Sequence, residues 1–478
     1  MDIKKDSIFI DCTEDGFGVL KTANPSIITR IRGLFTKTVI EFYGRKRVKK
    51  QVSVLTPSGR FHPGLWNEIR KQSKYLPIEF VFSENFKKVI RPVQIELDNM
   101  ETIPEKTYYD YQEDSIRAMF RWGRGIIELG TGGGKSLIMG GYAKNAIAQN
   151  PNVKILIMVP GTTLLNQLYA SFCSEFGMEK YTTTFTASNI RNFDPDKNIV
   201  ISNNETLINL EDSVDMFKDF DVVLVDECHT IGNDTKTSNF LTKINTNSKY
   251  GLTGTLPDKE IELWNLLGRI GPPIYVKKSF KLREEGYITH VKVNIALLDH
   301  YLDLTSFDDP RERYQFEKDY NMRHEKRNKF ICTLTKSLNK NCLILVDRIE
   351  HGLLLQEELK KIKKTVYFFT GQLEDNERKK IFAEMESCDD ICVVAIDKIF
   401  STGISIKNLH HIIFVGIGKS KIKVIQSIGR SLRKNNNKKM AILYDVADTT
   451  HYSYNHYIQR KRLYRSEKIP FTEKRFKL

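Results

Sequence analysis

The sequence predicts an α/β protein built from two successive units of alternating strands and helices, preceded by a small α+β module. The first observation is an apolar strand pattern, Ile126 to Leu129, that runs into a glycine-rich loop and then into an apolar helical stretch. The second is a fresh alternation of strands and helices between Cys342 and Ala395, without a glycine-lysine loop of its own. The third is a set of short strand patterns separated by turn signals in the first hundred residues. We therefore expect the small α+β module in residues 1–100, the first α/β unit in residues 101–280 and the second in residues 281–450. Residues 451–478 are expected to form a basic aromatic tail.

Composition excludes several classes of protein and favours a polyanionic partner. A chain of 478 residues with 40% hydrophobic content has room for two to four domains with ample cores. Its formal charge of +15 favours nucleic acid as the partner. The seven cysteines lack paired spacing, which indicates reduced thiols and no zinc site. Without a signal peptide or a membrane-length apolar run, we expect a cytoplasmic protein with no membrane contact. The sequence shows no sign of an obligate protein partner.

The glycine-rich loop predicts a phosphate site. Glycines let backbone N–H groups close around phosphate oxygens, and the N-terminus of the following helix adds partial positive charge. Lys135 is expected to reach the β- and γ-phosphates, and the Ser136 hydroxyl to hold Mg²⁺. The sequence therefore predicts ATP and Mg²⁺ as cofactors, bound by Gly130, Thr131, Gly132, Gly133, Gly134, Lys135 and Ser136.

An acidic pair follows the apolar strand Val222 to Val225. Two adjacent acids are costly to bury without a compensating cation, and Mg²⁺ held by Asp226 would supply it. Glu227 would then orient or deprotonate the attacking water. His229 and the hydroxyl-rich strand end at Thr253 are expected to couple the state of the nucleotide to movement.

Other loops carry candidate contacts. Gln112, about twenty residues before the phosphate loop, can offer an acceptor and two donors to an adenine edge. Thr162 and Asn204 follow strands, so we expect them at the carboxyl edge of a sheet, where their polar groups suit nucleic-acid phosphates. In the second unit, Arg430 and Arg433 are three residues apart and would share a helix face aimed at the triphosphate.

Two basic segments leave the interpretation open. Arg45, Lys46 and Arg47 stand beside aromatic residues, an arrangement that suits a nucleic-acid strand through stacking and phosphate contact. A solvated hairpin edge protected by charge accounts for the same pattern. Near the C-terminus, an aromatic run from His451 to Tyr457 is followed by the cations Arg460 to Arg462, which favours a nucleic-acid surface over a solubilising tail.

The ordered motif set resembles the superfamily 2 helicases, and within them the phage UvsW-type helicases. The motifs are Gly130–Ser136, the DECH box Asp226–His229, Thr253–Thr255, Phe400–Ser405 and Gln426–Arg433. The resemblance covers roughly residues 105–450. Leu129 departs from the strict phosphate-loop pattern, which has glycine there; many helicase-type motors tolerate this, whereas most small GTPases and kinases do not.

The resemblance implies two RecA-like domains with ATP in their cleft and activity on branched DNA, such as forks and recombination junctions. It assigns nucleotide and catalytic positions to Lys135, Ser136, Asp226, Glu227, Gln426, Arg430 and Arg433. It also gives Gln112 the adenine-reading position, and Thr402 with Gly403 the loop that joins ATP to the nucleic-acid strand. The alternatives are a DExH RNA helicase, a nucleic-acid-binding scaffold latched by ATP, and a translocase subunit of a restriction complex.

Overall fold

The computed structural model describes residues 6–43, 46–91, 95–190, 193–210, 213–233, 235–362, 365–370, 373, 375–396, 408–415 and 440–478. The chain divides into two compact units, which are described separately below. The first holds residues 1–129 and 134–277, and the second holds residues 278–478 together with the loop residues 130–133.

A small α+β layer forms the N-terminal part of the first unit. Its elements are β1 (Asp6–Cys12), β2 (Gly18–Lys21), α1 (Pro25–Leu34), β3 (Thr36–Tyr43), β4 (Lys46–Ser53), β5 (Arg60–Phe61), α2 (Trp66–Gln72), β6 (Ile78–Phe82) and α3 (Glu84–Ile90). Four strands pair in the order β5-β2-β1-β6, with β1 antiparallel to β2 and parallel to β6. Alternation along β1 turns Ile8 and Ile10 into a core that also contains Trp264. The layer therefore packs directly against the rest of the first unit.

A seven-stranded sheet forms the remainder of the first unit. Its elements are α4 (Asp110–Trp122), β7 (Gly125–Leu129), α5 (Lys135–Gln149), β8 (Ile155–Val159), α6 (Thr162–Ala170), β9 (Thr182–Phe185), β10 (Ile199–Asn203), α7 (Asn204–Asn209), α8 (Ser213–Phe217), β11 (Val222–Asp226), α9 (Thr235–Lys243), β12 (Ser248–Thr253), α10 (Glu260–Ile270) and β13 (Pro273–Lys277). The order is β13-β7-β12-β11-β8-β10-β9, and every ladder is parallel. Every residue of β7 and β8 is buried, as in parallel sheets whose two faces are both covered.

The strand order determines which loops meet. Strand β12 lies between β7 and β11, so the segments that follow these three strands emerge side by side at the carboxyl edge. Neighbouring strands lie about 4.8 Å apart, so the loop after β7 and the acids after β11 are separated by only two strand spacings. This edge is where ligands of open α/β sheets bind.

The second unit is built on another seven-stranded parallel sheet. Its elements are α11 (Ser279–Glu284), β14 (His290–Asp299), α12 (Pro310–Arg323), α13 (Glu325–Lys336), β15 (Cys342–Val346), α14 (Ile349–Lys361), β16 (Thr365–Phe369), α15 (Asp375–Ser387), β17 (Ile391–Ile396), β18 (His411–Val415), β19 (Met440–Asp448), α16 (His451–Ser466) and β20 (Phe471–Lys477). The order is β16-β17-β15-β18-β19-β14-β20. The expected pair of tandem parallel-sheet units with a small α+β region is confirmed.

Residues 451–478, which we expected as a tail, fold into this second sheet. Strand β20 pairs along β14, and α16 packs on β19. The Arg460 guanidinium bonds both oxygens of the fully buried Asp445 carboxylate, at 2.8 and 2.9 Å. Tyr464 donates its hydroxyl to the same carboxylate at 2.9 Å, and Tyr457 is buried. These side chains belong to the core of the unit, so they cannot form the nucleic-acid surface that their pattern suggested.

Among the described residues, no helix combines the length and the apolar character that crossing a membrane requires.

Candidate nucleotide site

The loop after β7 has the backbone of a phosphate cradle. Gly132 and Gly134 have φ of 88° and 84°, a left-handed region that favours glycine. A Cβ on Gly134 would stand 2.4 Å from Gln112 Nε2, so the glutamine side chain would have to move to admit a larger residue. Gly134 leads directly into α5, whose first turn carries no acidic residue and whose cap makes no side-chain hydrogen bond. The loop therefore presents the positive end of a helix to an anion.

Leu129, the departure from the strict loop pattern, has a structural role. It is the last residue of β7 and is fully buried. The leucine side chain completes the apolar strand, and the left-handed glycines of the loop, Gly132 and Gly134, come after it.

The acidic pair stands at the end of β11, facing the lysine of the loop. Asp226 is the last residue of the strand, and its Oδ1 accepts a hydrogen bond from Glu227 N at 2.9 Å. Glu227 adopts a left-handed backbone with φ 48° and ψ 46°, which is strained for a residue that is not glycine. Its Oε1 lies 3.2 Å from Lys135 Nζ, an ion pair that is largely buried. Strain of this kind persists where the surrounding structure holds a functional side chain in place.

The three charged groups shift one another's pKa. Burial raises the pKa of Asp226, and the Glu227 carboxylate beside it raises it further. Burial alone would raise the pKa of Glu227, but Lys135 and His229 outweigh burial and lower it. Burial would likewise lower the pKa of Lys135, yet the two carboxylates raise it. Glu227 and Lys135 are therefore both charged at neutral pH, while Asp226 is the carboxylate that gains most from an added cation.

This donor chemistry fits Mg²⁺ and a triphosphate. Oxygen ligands such as the Asp226 carboxylate and the Ser136 hydroxyl are those that Mg²⁺ prefers, and one or two protein ligands suffice beside the phosphates. Ser136 is exposed in the first turn of α5, next to the loop. The buried Asp226, with its raised pKa, marks the position that a cation would stabilise.

A histidine connects the acidic pair to the neighbouring strand. His229 Nδ1 lies 3.0 Å from Thr253 Oγ1 and 3.3 Å from Glu227 Oε2. Thr253 is the last residue of β12, and its hydroxyl also donates to the Thr255 carbonyl at 2.9 Å. A continuous chain of polar contacts thus runs from Lys135 through Glu227 and His229 to the end of β12. The expected coupling of nucleotide state to movement at His229 and Thr253 stays a prediction.

Gln112 lies beside the phosphate loop. It is buried in the first turn of α4, and its Oε1 accepts a hydrogen bond from Tyr109 N at 3.0 Å. Tyr109 stacks on Tyr111 with ring centroids 5.7 Å apart, and Lys277 Nζ lies 4.9 Å from the Tyr111 ring centroid. The Gln112 amide therefore lies next to the loop, and its role at an adenine edge stays a prediction.

Family comparisons agree with this arrangement. The profile described as type III restriction enzyme, res subunit, matches residues 105–258, and the helicase conserved C-terminal domain matches residues 325–435. The ATP-dependent DNA helicase uvsW of Enterobacteria phage T4 is 30% identical over 346 residues, covering 71% of this chain and 68% of that protein. The chain belongs to the UvsW-like superfamily 2 helicases. Membership in this family makes it an ATP-dependent helicase.

More distant similarities cover the same region. A putative helicase of the Sulfolobus islandicus filamentous virus is 26% identical over 360 residues, covering 70% of this chain and 63% of that protein. The structure of Mss116p bound to single-stranded RNA and AMP-PNP matches with a TM-score of 0.55 at 14% identity, over 81% of each chain. At that identity the likeness shows the fold alone, and this fold is the RecA-like helicase fold that the sequence predicted.

The expected nucleic-acid contacts of the first unit differ in exposure. Thr162 is exposed at the start of α6, where the helix cap makes no side-chain hydrogen bond. Asn204 begins α7 but is only 9% exposed, and its Oδ1 has no hydrogen-bond partner among the described residues. Lys46 and Arg47 begin β4, opposite Tyr43 and Phe42 of β3. Arg45, Thr402, Gly403, Gln426, Arg430 and Arg433 lie outside the described residues, so their roles stay predictions.

Sequence reasoning missed two features of the site. One is the direct pairing of Lys135 with Glu227, which are 92 positions apart in the chain; no local signal reports this contact. The other is the left-handed backbone of Glu227, for which a glutamate is an unusual residue.

Proposed function

We propose that this UvsW-like helicase is an ATP-driven motor that translocates on DNA and acts on branched substrates such as forks and recombination junctions. The observation that carries the proposal is the convergence of Lys135, Asp226 and Glu227 at the carboxyl edge of the first sheet. The charge of +15 supports a polyanionic track. The T4 relative, whose name specifies DNA, supports DNA as that track.

Each residue of the site has a chemical task in this proposal. When ATP binds, Lys135 leaves its ion pair with Glu227 and contacts the phosphates, whose charge it neutralises. Gln112 hydrogen-bonds the adenine edge. Asp226 and Ser136 hold Mg²⁺, which when bound stabilises negative charge on the phosphates. Glu227 orients the attacking water and accepts its proton. The His229–Thr253 contact passes the change of charge at Glu227 to the end of β12.

The second unit supplies the remaining groups. We propose that Arg430 and Arg433 stabilise the charge that develops on the transferred phosphoryl group, with Gln426 on the same segment. Thr402 and Gly403 connect nucleotide state to the nucleic-acid strand. Thr162 and Asn204 contact strand phosphates from the first unit.

The β3–β4 hairpin is a further candidate contact for DNA. It forms a two-stranded sheet of its own, with eight residues in each strand and a reach of about 27 Å. Lys37 ties its base to α10, through an ion pair with Glu260 at 2.7 Å and a position over the Trp264 ring. An isolated hairpin is marginally stable, so this one gains from a partner along its length. We propose that its Arg45, Lys46 and Arg47 contact the DNA backbone.

A strand-displacement and branch-migration assay tests the function. Forks, four-way junctions, linear duplexes and RNA hairpins of equal length are compared, together with the ATPase stimulation that each produces. The proposal expects ATP-dependent remodelling of forks and junctions, and stronger stimulation by DNA than by RNA. Stronger stimulation by RNA would indicate an RNA helicase, and no turnover with saturating DNA would indicate a scaffold latched by ATP.

The hairpin has its own test. Alanine at positions 45, 46 and 47 should weaken binding about equally for all DNA sequences. It should also lower the slope of log affinity against log salt by about 0.9 for each duplex phosphate that the variant no longer neutralises. An unchanged slope would favour the alternative of a solvated hairpin edge.

A further inference from the structure

A cleft lies in the first unit, between helices α2 and α3 of the N-terminal layer and the edge strand β13. Its volume is about 480 Å³, within the range of ligand sites. The residues on which the argument depends are Trp66, Arg70, Phe82, Lys88, Arg91 and Trp122. We call it the Trp122 cleft. No motif of the helicase family falls on these residues, so the nucleotide site does not account for them.

The charge of the Trp122 cleft has one sign. Among the described residues that line it, five are cations and none is a carboxylate. One of these cations, Arg124, lies in the floor and donates to three backbone carbonyls, those of Val89, Arg269 and Ile270. Arg70, Lys88 and Arg91 are exposed. A concave surface with like charges focuses the positive potential and attracts an anionic ligand.

Among the described residues, a nearby acid pairs with one of the five cations. Glu84 lies outside the cleft and pairs with the lining residue Lys87 at 2.6 Å, whereas Glu96 pairs at 3.1 Å with Arg121, which does not line the cleft. The cations on which the proposal rests are therefore Arg70, Lys88 and Arg91. A solvated helix face normally intersperses both signs of charge, whereas this surface keeps its acids outside.

Aromatic surface adjoins the cations. Trp122 is 39% exposed, and the Arg91 guanidinium lies 4.9 Å from its ring centroid. Trp66, which also lines the cleft, is buried, and its ring meets those of Phe80 and Phe82 edge-on at 4.9 and 4.7 Å. The cleft therefore combines a packed aromatic wall with an exposed indole. Aromatic rings beside cations are the features that bind unpaired nucleic-acid strands.

We propose that the Trp122 cleft binds single-stranded nucleic acid, with phosphates on Arg70, Lys88 and Arg91 and a base stacked on Trp122. The proposal rests on the proposed function, since it assigns a second contact for the strand on which the motor acts. A single strand fits better than a duplex because duplex bases are already stacked and cannot offer a face to the indole. An acidic peptide would use the cations but would leave the tryptophan without a stacking partner.

The Trp122 cleft and the candidate nucleotide site lie at opposite ends of the same helix, α4. Gln112 lies in the first turn of α4 and Trp122 is its last residue. Ten residues at 1.5 Å each place the two about 15 Å apart along the helix axis. A strand bound in the cleft would therefore contact the same helix that packs beside the phosphate loop at its other end.

Direct binding measurements test the proposal. The probe is a fluorescein-labelled 20-nucleotide DNA strand, compared with its duplex by fluorescence anisotropy at several salt concentrations. Trp122→Ala should weaken single-strand binding by about 5- to 150-fold, the range expected for loss of one stacked base. Trp122→Phe keeps an aromatic face and should stay within a few-fold of the wild type.

Charge reversal supplies the second arm. The double variant Lys88→Glu/Arg91→Glu should lower the salt slope by about 1.4, because each phosphate bound on a single strand contributes about 0.7. Its matched control is Lys71→Glu/Lys74→Glu, the same charge change on exposed residues of the same layer that do not line the cleft. Thermal melting establishes that each variant is folded.

The outcomes separate the cleft from the motor. If the wild type shows DNA-stimulated ATPase activity but folded Trp122→Ala binds as tightly as the wild type, the cleft proposal is wrong and the motor proposal stands. The cleft proposal also fails if the control variant loses as much affinity as Lys88→Glu/Arg91→Glu, or if duplex DNA or an oligoglutamate peptide binds more tightly than the strand. If the wild type neither binds DNA nor is stimulated by it, the proposed function itself fails.

Discussion

Replacing Glu227 with glutamine should abolish turnover while leaving ATP binding intact. The carboxylate lies 3.2 Å from Lys135 Nζ and 3.3 Å from His229 Nδ1, and these contacts keep it ionised. Once the phosphates take Lys135, the carboxylate regains proton affinity and can accept a proton. The amide preserves the size of the side chain but removes its basicity. Loss of a general base typically costs about 10²- to 10⁴-fold in rate, or about 3 to 5 kcal/mol of barrier.

The same substitution should leave nucleotide binding unchanged or make it tighter. In the free protein Glu227 holds Lys135, so the phosphates must displace a carboxylate. Glu227 also raises the pKa of Asp226, so its removal favours the ionised aspartate that Mg²⁺ requires. The expected signature is therefore a large fall in kcat together with an unchanged or lower Kd for ATP.

Two measurements check this signature. Phosphate release with saturating single-stranded DNA gives kcat, and titration with a fluorescent ATP analogue gives Kd. Glu205→Gln, an exposed glutamate at the start of α7, is the matched control and should behave like the wild type. A fall in kcat of less than tenfold in the Glu227 variant would refute the assignment of this residue as the base.

Four further predictions concern Lys135, Arg430 and, in the second unit, Glu317 and His351. Lys135→Ala should abolish turnover and weaken ATP binding, measured by the same two assays. Arg430→Ala should slow ATP hydrolysis by about 10³-fold or more, the usual contribution of an arginine that stabilises phosphoryl transfer, and a mild effect would remove the second unit from the reaction. Glu317→Gln should speed hydrogen exchange of the α16 amides by about 30- to 1000-fold, since Glu317 is buried and accepts hydrogen bonds from two N–H groups at the start of that helix. Burial lowers the pKa of His351 to about 3, and Arg327 adds to the effect, so only the unfolded chain takes up a proton at this residue as pH falls below 6.5. The free energy of unfolding of the second unit, measured with urea, should therefore fall by about 2 kcal/mol between pH 7 and pH 5. In His351→Gln the fall over the same pH range should be smaller by about 2 kcal/mol.

The nucleotide site shows how far local signals reach. Glycines, a lysine and a strand pattern identify the phosphate loop because each residue's task is set by its immediate neighbours in the chain. Asp226 and Glu227 were also recognisable, because two acids after a buried strand need a compensating cation. The parallel sheet then brings the two segments together, since strand ends of one polarity share an edge.

The C-terminal segment shows where such signals fail. Tyr457 and Arg460 fit the composition of a nucleic-acid surface, yet both are buried. Their burial depends on Asp445, which lies earlier in the chain on β19. Its carboxylate accepts hydrogen bonds from the Arg460 guanidinium and from the Tyr464 hydroxyl. A cation that pairs in the core and one that faces DNA have the same sequence signature, and only packing distinguishes them.

The sequence by itself determined the two α/β units, the phosphate loop and the acidic pair, because periodicity, glycine conformation and the cost of buried charge act over a few neighbouring residues. Only the tertiary structure decided that Lys135 pairs with Glu227, that α16 packs on the second sheet, and that Trp122 lies beside Arg91 in a cleft that no carboxylate lines among the described residues. These contacts join residues distant in the chain or on different helices. Their free energy depends on which surfaces meet, and no local pattern encodes it.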